Sequence, residues 1–242
     1  MGACAYRATG DLDLLGFGEN APATIAAVFV EILATQVEDD GVIFRPETLR
    51  AAAAREQDEY AGVRLDFVAE LGGARLPMHV DIGYGDVITP DPIDIEYPSL
   101  LEQPAPHLRA YPPETVVAEK FQAMVALDML NSRMKDFFDL WAIAGAFTFE
   151  GEVLARAIRT TFERRETPLP SETPLALTVG FADAKQVQWA AFLRRTEIAL
   201  APEPLPEIQA RIAELVMPPT LATAKATPFN ARWAAGAPWS EG

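Results

Sequence analysis

Apolar and polar side chains alternate along residues 62–83, and the glycine pair Gly72-Gly73 lies near the middle of this stretch. Alternation with a period of two places successive side chains on opposite faces of a strand, and a glycine pair suits a two-residue turn. The pattern predicts a β-hairpin with strands at about 62–71 and 75–83. A short strand at 42–45 is expected before it, after a turn signal.

Other segments repeat their apolar residues every three or four positions, which is the spacing of one face of a helix. This spacing predicts helices at about 22–37, at 114–131 and from Arg133 onward. The alanine-rich stretch 47–60 is expected to form a short, looser helix. Further helices are predicted in the segments GEVLARAIRTTFERRE, DAKQVQWAAFLRR and LPEIQARIAELVM.

A proline-rich and acidic segment at 87–113 separates the predicted hairpin from the later helices. Proline lacks an amide hydrogen and pushes the preceding residue to an extended conformation, so regular helix is not expected there. The sequence therefore predicts an α/β domain over residues 1–110 and a helical domain over 111–217. The aperiodic tail at 218–242 is predicted to be poorly ordered.

Two aspartates, Asp11 and Asp13, lie two positions apart in the apolar stretch RATGDLDLLG. In a strand they would project from the same face, where two carboxylates repel each other unless a cation lies between them. A divalent metal and an acidic turn before the first strand are both consistent with this stretch. Asp81, late in the second hairpin strand, is either a third carboxylate for that metal or a surface residue, and His79 is interpreted as a surface residue.

The helix predicted from Arg133 carries its aromatic residues on one face and Lys135, Asp136 and Asp139 on another. Charge patterning alone favours a solvated face with one weak ion pair between Lys135 and Asp139, four residues apart.

Bulk composition limits the class of protein. The 242 residues are 50% hydrophobic and 23% charged, which is typical of a globular chain with a substantial core. A net charge of −15 argues against nucleic-acid binding by overall electrostatics. Cys4 is the only cysteine, and the sequence contains neither a long apolar run nor a secretory signal. These features predict a cytoplasmic protein without a membrane span.

Four segments, DLDLLGFG, VDIGYGD, YPPETVVAEKFQAMVAL and NSRMKDFFDLW, carry a resemblance that extends from about Arg7 to Arg195. Together they resemble the AbiEii/AbiGii-type nucleotidyltransferase toxin family. The resemblance implies an α+β fold: a polymerase β-like nucleotidyltransferase domain with a small mixed sheet flanked by helices, followed by a mainly helical C-terminal domain. It also implies a toxin of a type IV toxin-antitoxin or phage-defence system that transfers a nucleotide from a nucleoside triphosphate to an acceptor, with tRNA the acceptor for some members.

On this resemblance, Asp11 and Asp13 match the carboxylate pair that binds Mg²⁺. Asp81 lies where a third acidic residue is expected, as a metal ligand or a catalytic group. Such carboxylates would hold the ion that bridges the triphosphate.

The two helical motifs supply the other residues that the resemblance implies. Lys120 matches the lysine that faces the nucleotide phosphates, and Asp136 matches the catalytic acidic residue of the last motif. Arg133 and Lys135 are expected to help bind the nucleotide, and Asp139 to be a structural partner.

The family pattern also has a glycine-rich turn before the aspartate pair, which MGACAYRATG does not supply. We therefore expect that the chain either begins late or is a degraded copy. The alternative function is that of a catalytically impaired relative that binds a protein or RNA. Expected partners are a cognate antitoxin, tRNA or another acceptor, and a second copy of the chain in a homodimer.

Overall fold

The computed structural model describes residues 10–53, 62–97, 104–196 and 204–241. The chain divides into two compact units between Asp86 and Val87. We call Ala8–Asp86 the N-terminal unit and Val87–Gly242 the C-terminal unit. This division directly precedes the proline-rich segment at 87–113, whereas the sequence analysis placed the domain boundary within that segment, after residue 110.

The N-terminal unit contains a four-stranded sheet and one helix. The elements are β1 (Leu12–Gly16), α1 (Pro22–Leu33), β2 (Val42–Ala53), β3 (Gly62–Leu71) and β4 (Ala74–Tyr84). The strand order is β1-β4-β3-β2, with β1 parallel to β4 and the other pairs antiparallel. The predicted hairpin is confirmed as β3 and β4.

The core of this unit forms where the apolar residues of the hairpin meet helix α1. Val63, Leu65 and Phe67 alternate with more exposed residues along β3, as the period of two requires. Ile25 and Phe29 of α1 pack against this cluster. Helix α1 ends at Leu33, short of the predicted residue 37.

The predicted helix at 47–60 is wrong for residues 47–53, which continue β2, and residues 54–60 lie outside the described part of the chain. Strand β2 pairs with β3 both before and after a register shift between Arg45 and Arg50. Pro46 falls within this shift, where the regular ladder of hydrogen bonds is interrupted. Pairing with β3 therefore overrides the helix propensity of the alanines.

The C-terminal unit is mainly helical among its described residues. Its strands are β5 (Ile93–Glu96), β6 (His107–Ala110), β7 (Phe149–Glu150), β8 (Ala231–Trp233) and β9 (Trp239–Glu241). Its helices are α2 (Pro113–Leu127), α3 (Met134–Ala146), α4 (Gly151–Arg164), α5 (Val179–Thr196) and α6 (Leu205–Ala224). Strands β5 and β6 form an antiparallel pair, and β7, β8 and β9 form a three-stranded sheet. The α+β class that the sequence predicts is confirmed.

The prediction of a poorly ordered tail at 218–242 is wrong for the described residues, which complete α6 and form β8 and β9. Pro219 lies inside α6 and lacks the amide hydrogen that would bond to the carbonyl oxygen of Leu215. The indole Nε1 of Trp239 donates to that oxygen instead, at 3.1 Å. Trp233 is fully buried and donates from Nε1 to Ala144 O at 2.9 Å. The two tryptophans thus attach the C-terminal strands to the helices.

Candidate active site

Asp11, Asp13 and Asp81 come together at the parallel pair of β1 and β4. Asp11 directly precedes β1, and Asp13 of β1 lies opposite Asp81 of β4 in the ladder. One carboxylate oxygen from each residue lies within 4.8 Å of the others. The parallel pairing of β1 with the second hairpin strand therefore creates the cluster, which we call the acidic cluster.

The acidic cluster has the donor chemistry that hard divalent cations prefer, since all its ligand atoms are carboxylate oxygens. In an octahedral Mg²⁺ site with bonds of about 2.1 Å, ligand oxygens are about 3.0 Å apart when adjacent and about 4.2 Å apart when opposite. The carboxylate oxygens of the acidic cluster lie within 4.8 Å of one another, which is close to this range. The residues present fit a divalent metal.

Arg64 contacts the acidic cluster, and the motif comparison did not identify it. It lies opposite Asp81 in the pairing of β3 with β4 and donates to both Asp81 oxygens, from Nε at 2.7 Å and from a terminal nitrogen at 2.5 Å. This two-pronged contact fixes the orientation of the Asp81 carboxylate. The register of the predicted hairpin was the signal that could have revealed Arg64. Two positions along the same ladder, His79 is half exposed and contacts Asp66, in agreement with a surface role.

A second group of charges lies in the C-terminal unit, between α2 and α3. Lys120 Nζ of α2 lies 2.8 Å from Asp136 Oδ1 and 2.9 Å from Asp139 Oδ2 of α3. The Asp136 side chain is 0% exposed, and its Oδ2 lies 2.6 Å from Arg133 Nε in an ion pair that lacks hydrogen-bond geometry. We call these four residues the buried charge cluster. The prediction of a solvated face is wrong for Asp136.

The charge state of Lys120 follows from its surroundings. Burial by itself would lower the pKa of Lys120, but the negative charges of Asp136 and Asp139 outweigh it and raise the pKa above the ordinary 10.5. The ammonium group is therefore a fixed positive charge at neutral pH. Its side chain remains 19% exposed.

The structure thus groups the predicted site residues in two sets, each within its own unit. Asp11, Asp13 and Asp81 belong to the acidic cluster of the N-terminal unit. Lys120, Asp136 and Asp139 belong to the buried charge cluster of the C-terminal unit. Lys135 is partly exposed on α3 and lines an adjoining cleft together with Arg133.

The model of a protein family, described as the nucleotidyl transferase AbiEii toxin of type IV toxin-antitoxin systems, matches residues 4–214. The chain belongs to the AbiEii nucleotidyltransferase toxin family. The match includes both charged clusters of this AbiEii-family protein, and it confirms the resemblance that the four motifs indicated.

Two crystal structures from Helicobacter pylori are similar to this AbiEii-family protein. The first, a candidate nucleotidyltransferase, is 14% identical with a TM-score of 0.46, and the match covers 94% of this chain and 85% of the other. The second, JHP933, is 14% identical with a TM-score of 0.45, and the match covers 93% of this chain and 79% of the other. No curated protein sequence matches the chain. The family match therefore carries the assignment.

The described part of the chain contains no helix that is long and apolar enough to cross a membrane.

Proposed function

We propose that this AbiEii-family protein is a metal-dependent nucleotidyltransferase that transfers a nucleotide from a nucleoside triphosphate to an acceptor, with an RNA such as tRNA as the acceptor. Membership of the family supports the class of reaction. The observation that carries the metal dependence is the convergence of Asp11, Asp13 and Asp81 to within 4.8 Å.

The reaction joins an oxygen of the acceptor hydroxyl to the α-phosphorus of the triphosphate. The bond from the α-phosphorus to the oxygen that bridges the α- and β-phosphates breaks, pyrophosphate leaves, and the hydroxyl proton is released to solvent. Asp11 and Asp13 would hold a divalent ion, and Asp81 would be the third ligand or a catalytic group beside them. A bound ion would neutralise negative charge on the phosphates. A carboxylate cluster without such a cation would repel the triphosphate.

Lys120 is proposed to contact the nucleotide phosphates. Its ammonium remains charged at neutral pH because the adjacent carboxylates raise its pKa. Asp136 and Asp139 hold the ammonium from two sides, which limits its movement before a ligand binds. Asp136 therefore has a positioning role in this proposal, and Arg133 is its second partner.

Titration calorimetry and a transfer assay test the metal site on the full chain. Wild-type protein should bind Mn²⁺ and a nucleoside triphosphate and label an RNA acceptor with α-³²P nucleotide. The substitution Asp13→Asn should weaken Mn²⁺ binding by at least about tenfold and abolish labelling, because it removes an anionic metal ligand. The control Glu31→Gln makes the same chemical change at an exposed position on α1 and should alter neither result.

The proposal fails if folded wild-type protein binds neither Mn²⁺ nor a nucleoside triphosphate.

One observation favours a second function, that of a catalytically impaired relative that binds an antitoxin or RNA. Both oxygens of Asp81 already accept hydrogen bonds from Arg64. Retained binding of RNA or antitoxin without any labelling would support this second function.

A further inference from the structure

A cleft of about 370 Å³ lies between the start of α3 and the C-terminal half of α5, wholly within the C-terminal unit. Three of its lining residues are cations, and none of the eight is acidic. The lining residues are Ser132, Arg133, Met134, Lys135, Gln188, Ala191, Phe192 and Arg195. We call this feature the basic cleft.

Gathering these charges has an electrostatic cost. Arg133, Lys135 and Arg195 are like charges that repel one another across the cleft. Of these three, Arg133 contacts the buried Asp136, through Nε. A guanidinium group also has two terminal nitrogens, which that contact does not use. Because the chain as a whole carries a net charge of −15, a concentration of cations at one cleft is not a consequence of overall composition. An anionic ligand would relieve the repulsion.

Side chains, and not the N-terminus of α3, would recognise that ligand. The amide of Arg133 donates to Asn131 Oδ1 at 2.8 Å, and the amide of Met134 donates to Ser132 O at 2.9 Å. The amide of Asp136 donates to Arg133 O at 2.9 Å. These donors at the start of the helix are already used within the chain.

The chemistry of the lining selects among anions. Arginine presents a planar fork of donors that matches phosphate oxygens, and lysine adds a point charge. Met134 and Phe192 are buried and give the cleft an apolar base, while Ser132 and Gln188 are exposed and supply uncharged polar groups. A volume of about 370 Å³ is at the lower end of the range for small-molecule pockets. This combination suits a nucleotide unit, with its phosphate on the cations and its base or sugar on the apolar surface.

We propose that the basic cleft is a binding site for the phosphate group of a nucleotide, with Arg195 of α5 as a phosphate ligand alongside Arg133 and Lys135. The nucleotide is either a free nucleoside triphosphate or one unit of an RNA strand. The site acts in binding and does not require transfer activity.

Fluorescence anisotropy on the full chain tests this site, with two labelled probes: a single-stranded hexaribonucleotide and an ATP analogue. The titrations are made in EDTA, so that the acidic cluster contributes no metal bridge. The test variant is Arg195→Gln. The matched control is Arg194→Gln, which removes the same charge from the same last turn of α5 at an exposed position that does not line the cleft.

Arg195→Gln should weaken binding of at least one probe by about fivefold or more, whereas Arg194→Gln should leave both affinities within about twofold of wild type. For the hexaribonucleotide, the magnitude of the slope of log K against log salt should fall by about 0.7, because one phosphate contact is lost. Loss confined to the ATP analogue assigns the site to a free nucleotide, and loss confined to the hexaribonucleotide assigns it to an RNA strand.

Equal effects of the two substitutions would mean that only general charge matters, and this would overturn the proposal. Wild-type affinity of Arg195→Gln for both probes would also overturn it. Thermal melting of both variants checks their folding, which the substitutions should preserve because both arginines are exposed. Because no metal or transfer is involved, failure here leaves the result of the Asp13→Asn experiment unaffected.

Discussion

The substitution Lys120→Met should destabilise the C-terminal unit. Methionine is unbranched and similar in length to lysine, so it retains the packing of the stem but removes the ammonium group. Asp136, which is 0% exposed, then keeps Arg133 as its remaining partner in the buried charge cluster. Asp139, which is 15% exposed, loses its contact with Lys120.

The loss of folding free energy in this variant depends on which groups still compensate the charge of Asp136. Removing one partner of a buried ion pair costs about 3–5 kcal/mol, because the other charge is left without compensation. The contact with Arg133 and the 19% exposure of Lys120 reduce this cost, so we expect a loss of about 2–4 kcal/mol. For a chain of this length, 1 kcal/mol lowers the melting temperature by about 2–4 °C, so the melting temperature should fall by about 4–16 °C.

Urea denaturation followed by tryptophan fluorescence measures this loss in the relevant unit. All the tryptophans of the chain lie in the C-terminal unit: Trp141, Trp189, Trp233 and Trp239. The control Lys135→Met removes the same ammonium group from a partly exposed position on α3 and should change the free energy of unfolding by less than about 0.5 kcal/mol.

The double substitution Lys120→Met with Asp136→Leu separates the loss of a charge from the loss of packing. Because it also removes the uncompensated carboxylate, it should recover most of the stability that Lys120→Met loses. The reasoning is refuted if Lys120→Met unfolds at the wild-type urea concentration, or if the double variant is no more stable than Lys120→Met.

Two further predictions concern pH and the acidic cluster. Since the folded pKa of Lys120 is raised, its ion pairs stabilise the protein fully below the unfolded pKa of 10.5 and progressively less as pH rises through the folded pKa. Urea denaturation between pH 9 and pH 12 should show this loss in wild type, with a smaller loss in the variant that carries Lys120→Met and Asp136→Leu. The substitution Arg64→Met should tighten Mn²⁺ binding about fivefold, because it releases Asp81 and leaves the carboxylates without that counter-ion. An unchanged Mn²⁺ affinity in calorimetry would contradict this role of Arg64.

The acidic cluster was predictable because each step depends on local pattern. Alternation fixed the hairpin, the hairpin placed Asp81 on the opposite face from Val80 and Ile82, and spacing placed Asp11 and Asp13 together. The parallel pairing of β1 with β4 then needed only a crossover connection, which α1, β2 and β3 provide. The site residues themselves stay a prediction until the metal is measured.

Elements that depend on distant partners were not predictable in the same way. The alanines of β2 favour a helix locally, and pairing with β3 decides otherwise. The C-terminal strands lack periodicity because they are short, and two tryptophans anchor them through carbonyl oxygens of α3 and α6. These two hydrogen bonds join residues that are 89 and 24 positions apart in the sequence. The periodicity of a short sequence segment cannot reveal contacts of that separation.

The buried charge cluster depends both on local sequence pattern and on a partner that is distant in the sequence. Charge spacing along α3 considers only partners three or four residues away, so Asp136 resembled a solvated residue. The partner that explains its burial is Lys120, 16 residues earlier on α2. Lys120 is three residues after Val117 and four before Met124, both buried, so it lies in an apolar stripe. A lysine in such a stripe requires a carboxylate from a neighbouring element, because an isolated buried ammonium would lose its charge. The next helix, α3, supplies Asp136. The position of Lys120 within the apolar stripe of α2 was therefore the sequence signal that linked the motif on α2 to the motif on α3.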